Sequence, residues 1–191
     1  MLRVIAEKCT NIFLRHGVIQ EERKRVYIYG FELLWSLAFS SLSILMLGLI
    51  FNYVPLAITF LVYFIPIRIP AGGFHAGSYE YCFLITNFTA VLCVCISRWL
   101  YQQKWAANVL WVMLAAAVLY IWFVAPVISE KHPVKTSRIV KNQKYARLLL
   151  WVDLVSILFL KVLLNNQIVF TAIATLCAVA IMMFIAKKGG K

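Results

Sequence analysis

The sequence predicts an all-α integral membrane protein: about six transmembrane helices plus an N-terminal amphipathic interfacial helix, with both termini cytoplasmic. Three observations predict it. First, 63% of the 191 residues are hydrophobic and the mean hydropathy is +0.86, whereas a soluble domain is about 45–50% apolar. Second, the apolar residues form long blocks near the ~20 residues that a helix needs to cross a bilayer core. Third, the blocks are continuous rather than alternating. In hydrocarbon every backbone polar group must bond internally, which leaves helices or closed barrels, and continuous blocks favour helices.

The elements follow in order. Residues 1–25 form an amphipathic N-terminal segment. Leu2, Ile5, Cys9, Ile12 and Phe13 recur at steps of three and four, which is one helical face. Arg3, Glu7, Lys8, Asn11 and Arg15 fall largely elsewhere, and Gly17 is a stop signal. Such a helix can rest its basic face against anionic headgroups. The segment is too charged for a cleavable signal peptide, so the first span doubles as targeting signal and permanent helix. The expected spans are Phe31–Phe51, Tyr53–Ile69, Tyr81–Leu100, Ala107–Ile128, Leu148–Leu164 and Ile168–Ala186. They make one integral membrane domain over residues 1–191.

Charge sets the orientation. Of the 19 Lys and Arg residues, six spans with cytoplasmic termini leave only Arg98, Lys104 and Lys161 outside, and the other 16 inside. That is a strong positive-inside bias. The net charge of +12 therefore follows membrane topology, which argues against nucleic-acid binding. Residues 129–147, "SEKHPVKTSRIVKNQKYAR", read as a basic cytoplasmic loop. Topology alone accounts for its charge, but a basic patch also concentrates acidic partners. Of the five cysteines, Cys9 and Cys82 fall on the reducing side, where disulfides are rare. Cys93, Cys95 and Cys177 lie within spans and read as small apolar packing residues.

Residues 68–82, "RIPAGGFHAGSYEYC", interrupt two apolar blocks on the cytoplasmic side. Here His75 has Cys82 close by in a glycine-rich segment. A thiolate is the reactive form of cysteine, and a neighbouring histidine or a helix N-terminus favours it. His75 and Cys82 are thus a candidate base and nucleophile. Seven helical residues would separate their Cα atoms by about 10.5 Å along the axis. A working pair therefore requires a bend, which Gly72, Gly73 and Gly77 permit. A metal site is not expected: one His, one Cys and Glu80 make a poor tetrahedral set, and no CxxC or HxxxH occurs. No cofactor is expected either.

The run Arg68…Gly73-Phe74-His75-Ala76…Cys82 resembles the accessory gene regulator protein B (AgrB) family of Gram-positive bacteria, which shows an Arg, a Gly-x-His and a Cys seven residues after the His. "YGFELL" at 29–34 resembles the segment that opens the family's first span. "APVISEKHPV" at 125–134, followed by Arg138, Lys144 and Tyr145, resembles its Ala-Pro, Pro and basic loop. The resemblance covers nearly the whole chain.

It implies a cysteine endopeptidase of quorum sensing in the bacterial cell membrane, with its active site on the cytoplasmic side. The substrate would be a small AgrD-like propeptide with an acidic C-terminal tail. Cys82 would attack the scissile carbonyl with His75 as base, expel the tail and hold the rest as a thioester. A thiol or hydroxyl of the propeptide would then close the ring of an autoinducing peptide. Arg68 could bind substrate carboxylates or stabilise developing negative charge, or merely anchor the span. Gly73 belongs to the matching motif. Glu80 could orient His75 or be a solvated carboxylate. Glu32 and Asp153, at span ends or inside spans, are candidates as intramembrane acids. Lys131, Lys135, Arg138 and Lys141 would receive the substrate's acidic tail. Membrane lipids are further expected partners, and the amphipathic first helix and small size are compatible with a homodimer.

The alternative is a non-catalytic transporter or exporter of a signalling peptide, or a structural membrane partner. Transporters carry broken helices in paired repeats or charges along a path. The span interiors here hold only Asp153 and Lys161 as near exceptions, which counts against ion-coupled transport.

Overall fold

A computed structural model describes residues 2–72, 79–103, 105–127, 136–163 and 167–189; of residues 79, 80, 136–138 and 189 only the backbone is described. Seven α-helices occur among them. They are α1 (Leu2–Arg15), α2 (Lys24–Ile50, entered through a 3-10 turn at Glu21–Arg23), α3 (Val54–Ala71), α4 (Tyr79–Tyr101), α5 (Ala106–Val124), α6 (Thr136–Leu163) and α7 (Gln167–Gly189). There is no strand among the described residues. One isolated parallel bridge joins Gly72 to Val127.

The chain divides into two compact units, Met1–Ile44 and Leu45–Lys191. In the first, α1 forms the amphipathic helix that its spacing predicts. It ends at Gly17, whose φ of 68° is the left-handed geometry that glycine adopts freely. The backbone N–H of Val18 closes the cap on Phe13 at 3.0 Å. Only Ala6 and Thr10 of α1 are buried. The Phe13 ring stacks on Phe31 of α2, with centroids 5.6 Å apart. The Arg3–Glu7 ion pair at 3.1 Å is exposed and contributes only about 0.3–0.5 kcal/mol.

In the second unit the core is α7, packed against α3, α4, α5 and α6. Val169, Ala172, Ile173, Leu176, Val179, Ala180 and Met183 are buried along it. Small residues let neighbouring helix backbones approach closely where lipid supplies no hydrophobic drive. Two threonines of α7 return to their own helix. Thr171 donates to the Gln167 carbonyl at 2.9 Å and Thr175 to the Thr171 carbonyl at 2.7 Å. Across the interface the Ser97 and Thr171 hydroxyls meet at 2.8 Å. Outward-facing apolar side chains stay uncovered: Phe88 on α4 is 68% exposed and Phe123 on α5 is 72% exposed. Water would penalise such a surface; hydrocarbon does not.

The α2–α3 turn shows how tightly successive helices join. Gly48 leaves room for Ala57, since a Cβ there would lie 2.8 Å from the Ala57 Cβ. Asn52 takes a φ of 59°, a left-handed conformation that Asn tolerates.

Within the second unit the side-chain contacts sort to two ends. One end holds Arg98 over the Tyr53 ring (3.9 Å), Tyr101 against Phe170 (5.5 Å), Trp99 against Trp105 (6.3 Å) and Lys161 over Trp111 (4.4 Å). The other end holds Arg68, Arg147 over Trp122 (4.8 Å) and Lys188 over Phe184 (4.7 Å).

Two of the expected boundaries need correction. Among the described residues, five helical segments are long and apolar enough to cross a membrane: Glu21–Ile50, Val54–Ala71, Tyr81–Tyr101, Ala106–Val124 and Gln167–Lys188. The expected fifth span, Leu148–Leu164, lies on α6, where Asp153 and Lys161 interrupt the apolar run. The fourth span stops at Val124 rather than Ile128. Pro126 follows, and a proline disfavours helix in the residue before it. The residues read as a basic loop are also partly helical. From Thr136 onward they form the first turns of α6, so Lys141, Lys144 and Arg147 stand on a helix.

Candidate active site

The sequence places an unusual helix just before the interrupted stretch. α3 carries Pro66 and Pro70 in its last turns. Each proline removes one intrahelical N–H donor and loosens the helix. Between them stands Arg68, half-buried. Its guanidinium donates to the Met182 sulfur on α7 at 2.9 Å and lies 5.1 Å from the centroid of the Phe64 ring, one turn back on α3. The Cys82 side chain of α4 lies within electrostatic reach of the same guanidinium.

Cys82 is the fourth residue of α4 and is half-buried. It therefore stands at the helix end where N–H groups are unpaired and the dipole is positive. A sulfur there faces two sources of positive potential: the end of its own helix and the cation delivered by α3.

The exit from α3 is fixed by a second contact. Gly72 has φ 69° and ψ −160°, a region essentially confined to glycine. A Cβ at Gly72 would collide with the Val127 carbonyl oxygen. The Val127 N–H donates to the Ala71 carbonyl at 2.9 Å, just after the cis Ala125–Pro126 bond. The glycine-rich stretch and the Ala-Pro segment, 53 residues apart in sequence, are thus clamped backbone to backbone where both leave their helices.

The family model for accessory gene regulator B matches residues 6–185. The chain belongs to the accessory gene regulator B family. It is also 30% identical over 149 residues to AgrB-like protein 2 of Clostridium perfringens (strain 13 / Type A). That match spans 74% of this chain and 66% of the relative's length. No solved structure matches.

Of the residues expected at an accessory gene regulator B site, the structure brings together Arg68 and Cys82. His75, Gly73, Lys131 and Lys135 lie outside the described residues, and so do the side chains of Glu80 and Arg138. Lys141 is exposed on α6, 5.8 Å from the centroid of the Tyr145 ring. Glu32 belongs to the other compact unit. Among the remaining cysteines, Cys93 and Cys177 are buried, as packing residues should be, and Cys93 donates to the Ala174 carbonyl at 3.7 Å. Cys95 is exposed on α4, so it does not pack inside the unit. No group of three or more metal-ligating side chains occurs among the described residues.

Sequence reasoning missed Phe64, Met182 and Val127. Phe64 was findable, because four residues back on a helix is the same face. Met182 and Val127 reach the site only through tertiary structure.

Proposed function

We propose that this protein is a membrane cysteine endopeptidase that removes the C-terminal tail of a small AgrD-like propeptide and promotes its cyclisation to a quorum-sensing peptide. The observation that carries the reading is the Arg68–Cys82 contact at the N-terminus of α4. Family membership supports it.

In the proposed reaction His75 takes the Cys82 proton and the sulfur attacks the scissile carbonyl. Arg68 balances the negative charge, first on sulfur and then on the tetrahedral oxygen. The intermediate collapses, the tail amine leaves with the proton held by His75, and the peptide remains as an acyl thioester. A thiol or hydroxyl of the propeptide then attacks that carbonyl. The ring closes as a thiolactone or lactone and the Cys82 thiol re-forms. Thioester to thioester exchange conserves the bond's energy, which hydrolysis would discard. Lys131, Lys135, Arg138 and Lys141 hold the acidic tail beside the site.

In this reading α2 to α7 make six spans, α1 lies in the interface, and both termini and residues 68–82 face the cytoplasm of a bacterial cell. Arg68, Lys141, Lys144, Arg147, Lys187 and Lys188 share one end of the second unit, with Arg98 and Lys161 at the other, in keeping with a positive-inside arrangement. Labelling of introduced cysteines at 70–78 by an impermeant external reagent would overturn it. The catalytic reading is tested by reconstituting the protein with its propeptide. Wild type should release the tail, whereas Cys82→Ala should release none and His75→Ala very little. Robust cleavage by Cys82→Ala would overturn the reading and promote the exporter alternative.

A further inference from the structure

The contact between α5 and α6 leaves an apolar groove open to the surroundings, lined by Val118, Leu119 and Trp122 of α5 with Leu150, Trp151 and Leu154 of α6. Trp122 and Trp151 meet edge to face at 6.3 Å and form its upper wall. Directly above stands Arg147. Its Nε donates to the Trp122 carbonyl at 3.4 Å and its guanidinium lies 4.8 Å from the Trp122 ring centroid. One turn further, Lys144 is exposed, and Lys141 follows. None of these three cations forms an ion pair among the described residues. Below Arg147 the exposed face of α6 turns wholly apolar through Leu148, Trp151, Val152 and Val155.

The order along the axis is therefore cations, then an aromatic collar, then an open apolar channel. That is the order of a phospholipid read from phosphate to acyl chain. A soluble acidic peptide would match the cations but not the channel. We propose that the α5–α6 groove is a binding site for an anionic phospholipid, with the phosphate held by Arg147 and Lys144 and an acyl chain along Trp122, Trp151 and Leu154. Basic pockets between helices at a membrane face suit such headgroups, and each cation near an anionic surface strengthens binding about fivefold. The site requires that α5 and α6 lie in a membrane but is independent of the cleavage chemistry.

The other end of the same helix pair supplies the control. There Lys161 sits over Trp111 at 4.4 Å, a similar cation-on-tryptophan contact with one cation among the described residues in place of three. The test uses full-length protein purified from bilayers holding equal phosphatidylglycerol and phosphatidylcholine, with native mass spectrometry of the retained lipid. Wild type should retain phosphatidylglycerol over phosphatidylcholine by about tenfold or more. The double variant Lys144→Gln, Arg147→Gln should lose that preference, whereas Lys161→Gln should keep it. Circular dichroism should show both variants folded. Equal retention of the two lipids by wild type, or an unchanged preference in the double variant, would overturn the assignment. So would displacement of the lipid by a soluble acidic peptide at micromolar concentration, which would make a peptide the occupant.

Discussion

Replacing Gly72 by alanine tests whether the backbone clamp positions the site. The structure gives two penalties. The backbone at φ 69°, ψ −160° is one that L-residues avoid, at a cost of about 1–3 kcal/mol. The new Cβ also runs into the Val127 carbonyl oxygen and comes within 3.2 Å of the Val127 nitrogen. Relief requires the two segments to part, which sacrifices the Val127-to-Ala71 hydrogen bond, worth about 0.5–1.5 kcal/mol. Together the penalties come to about 1.5–4.5 kcal/mol. At about 1.4 kcal/mol per factor of ten, cleavage would fall about 12- to 1,600-fold if the whole penalty reaches the site. The assay is propeptide cleavage beside thermal unfolding of the same preparation. Gly30→Ala is the control, since its Cβ meets nothing within 4 Å and its φ is ordinary. It should cleave normally and unfold no earlier. A Gly72→Ala protein that cleaves and melts like wild type would refute the clamp.

Three further predictions concern separate links of the argument. Arg68→Gln should slow alkylation of Cys82 while leaving that of Cys9, on α1, unchanged; equal rates at Cys82 in both proteins would remove Arg68 as the partner of the sulfur. Ser97→Ala should cost only about 0.6 kcal/mol, and no more than about 1.7. The reason is that the Thr171 hydroxyl keeps its bond to the Gln167 carbonyl; a loss near 3 kcal/mol in an unfolding titration would show that the interhelical bond matters more. Neutralising Lys131, Lys135, Arg138 and Lys141 together should weaken propeptide binding and its salt dependence without affecting membrane insertion, and unchanged binding would leave those cations as a topology signal only.

The helices were legible wherever apolar blocks were long, because burial in lipid demands a continuous hydrophobic surface. They were misread where hydropathy and backbone chemistry disagree. Val124–Ile128 stays apolar past the helix end, so the block overshot the stop imposed by Pro126. From Thr136 onward the chain is polar yet helical, and a polar helix is indistinguishable from a loop by hydropathy alone. At the site, Cys82 was visible as a thiol at the start of a span. Its pairing with Arg68 was not, because the two stand 14 residues apart on separate helices. Nor was Met182, 114 residues from Arg68 and joined to it only by the packing of α7 on α3. Gly72 was read as a point where the backbone could bend. What its neighbour contributes, a carbonyl that leaves no room for a side chain, is a property of the fold.

The central claim is a covalent one, and the most direct measurement is intact-protein mass spectrometry of the reconstituted protein quenched in acid with the proposed propeptide. The account predicts an adduct of propeptide mass minus the tail, mapped to Cys82, labile to hydroxylamine, and absent from Cys82→Ala. Turnover with no adduct at Cys82, or an adduct on another cysteine that survives Cys82→Ala, would contradict it.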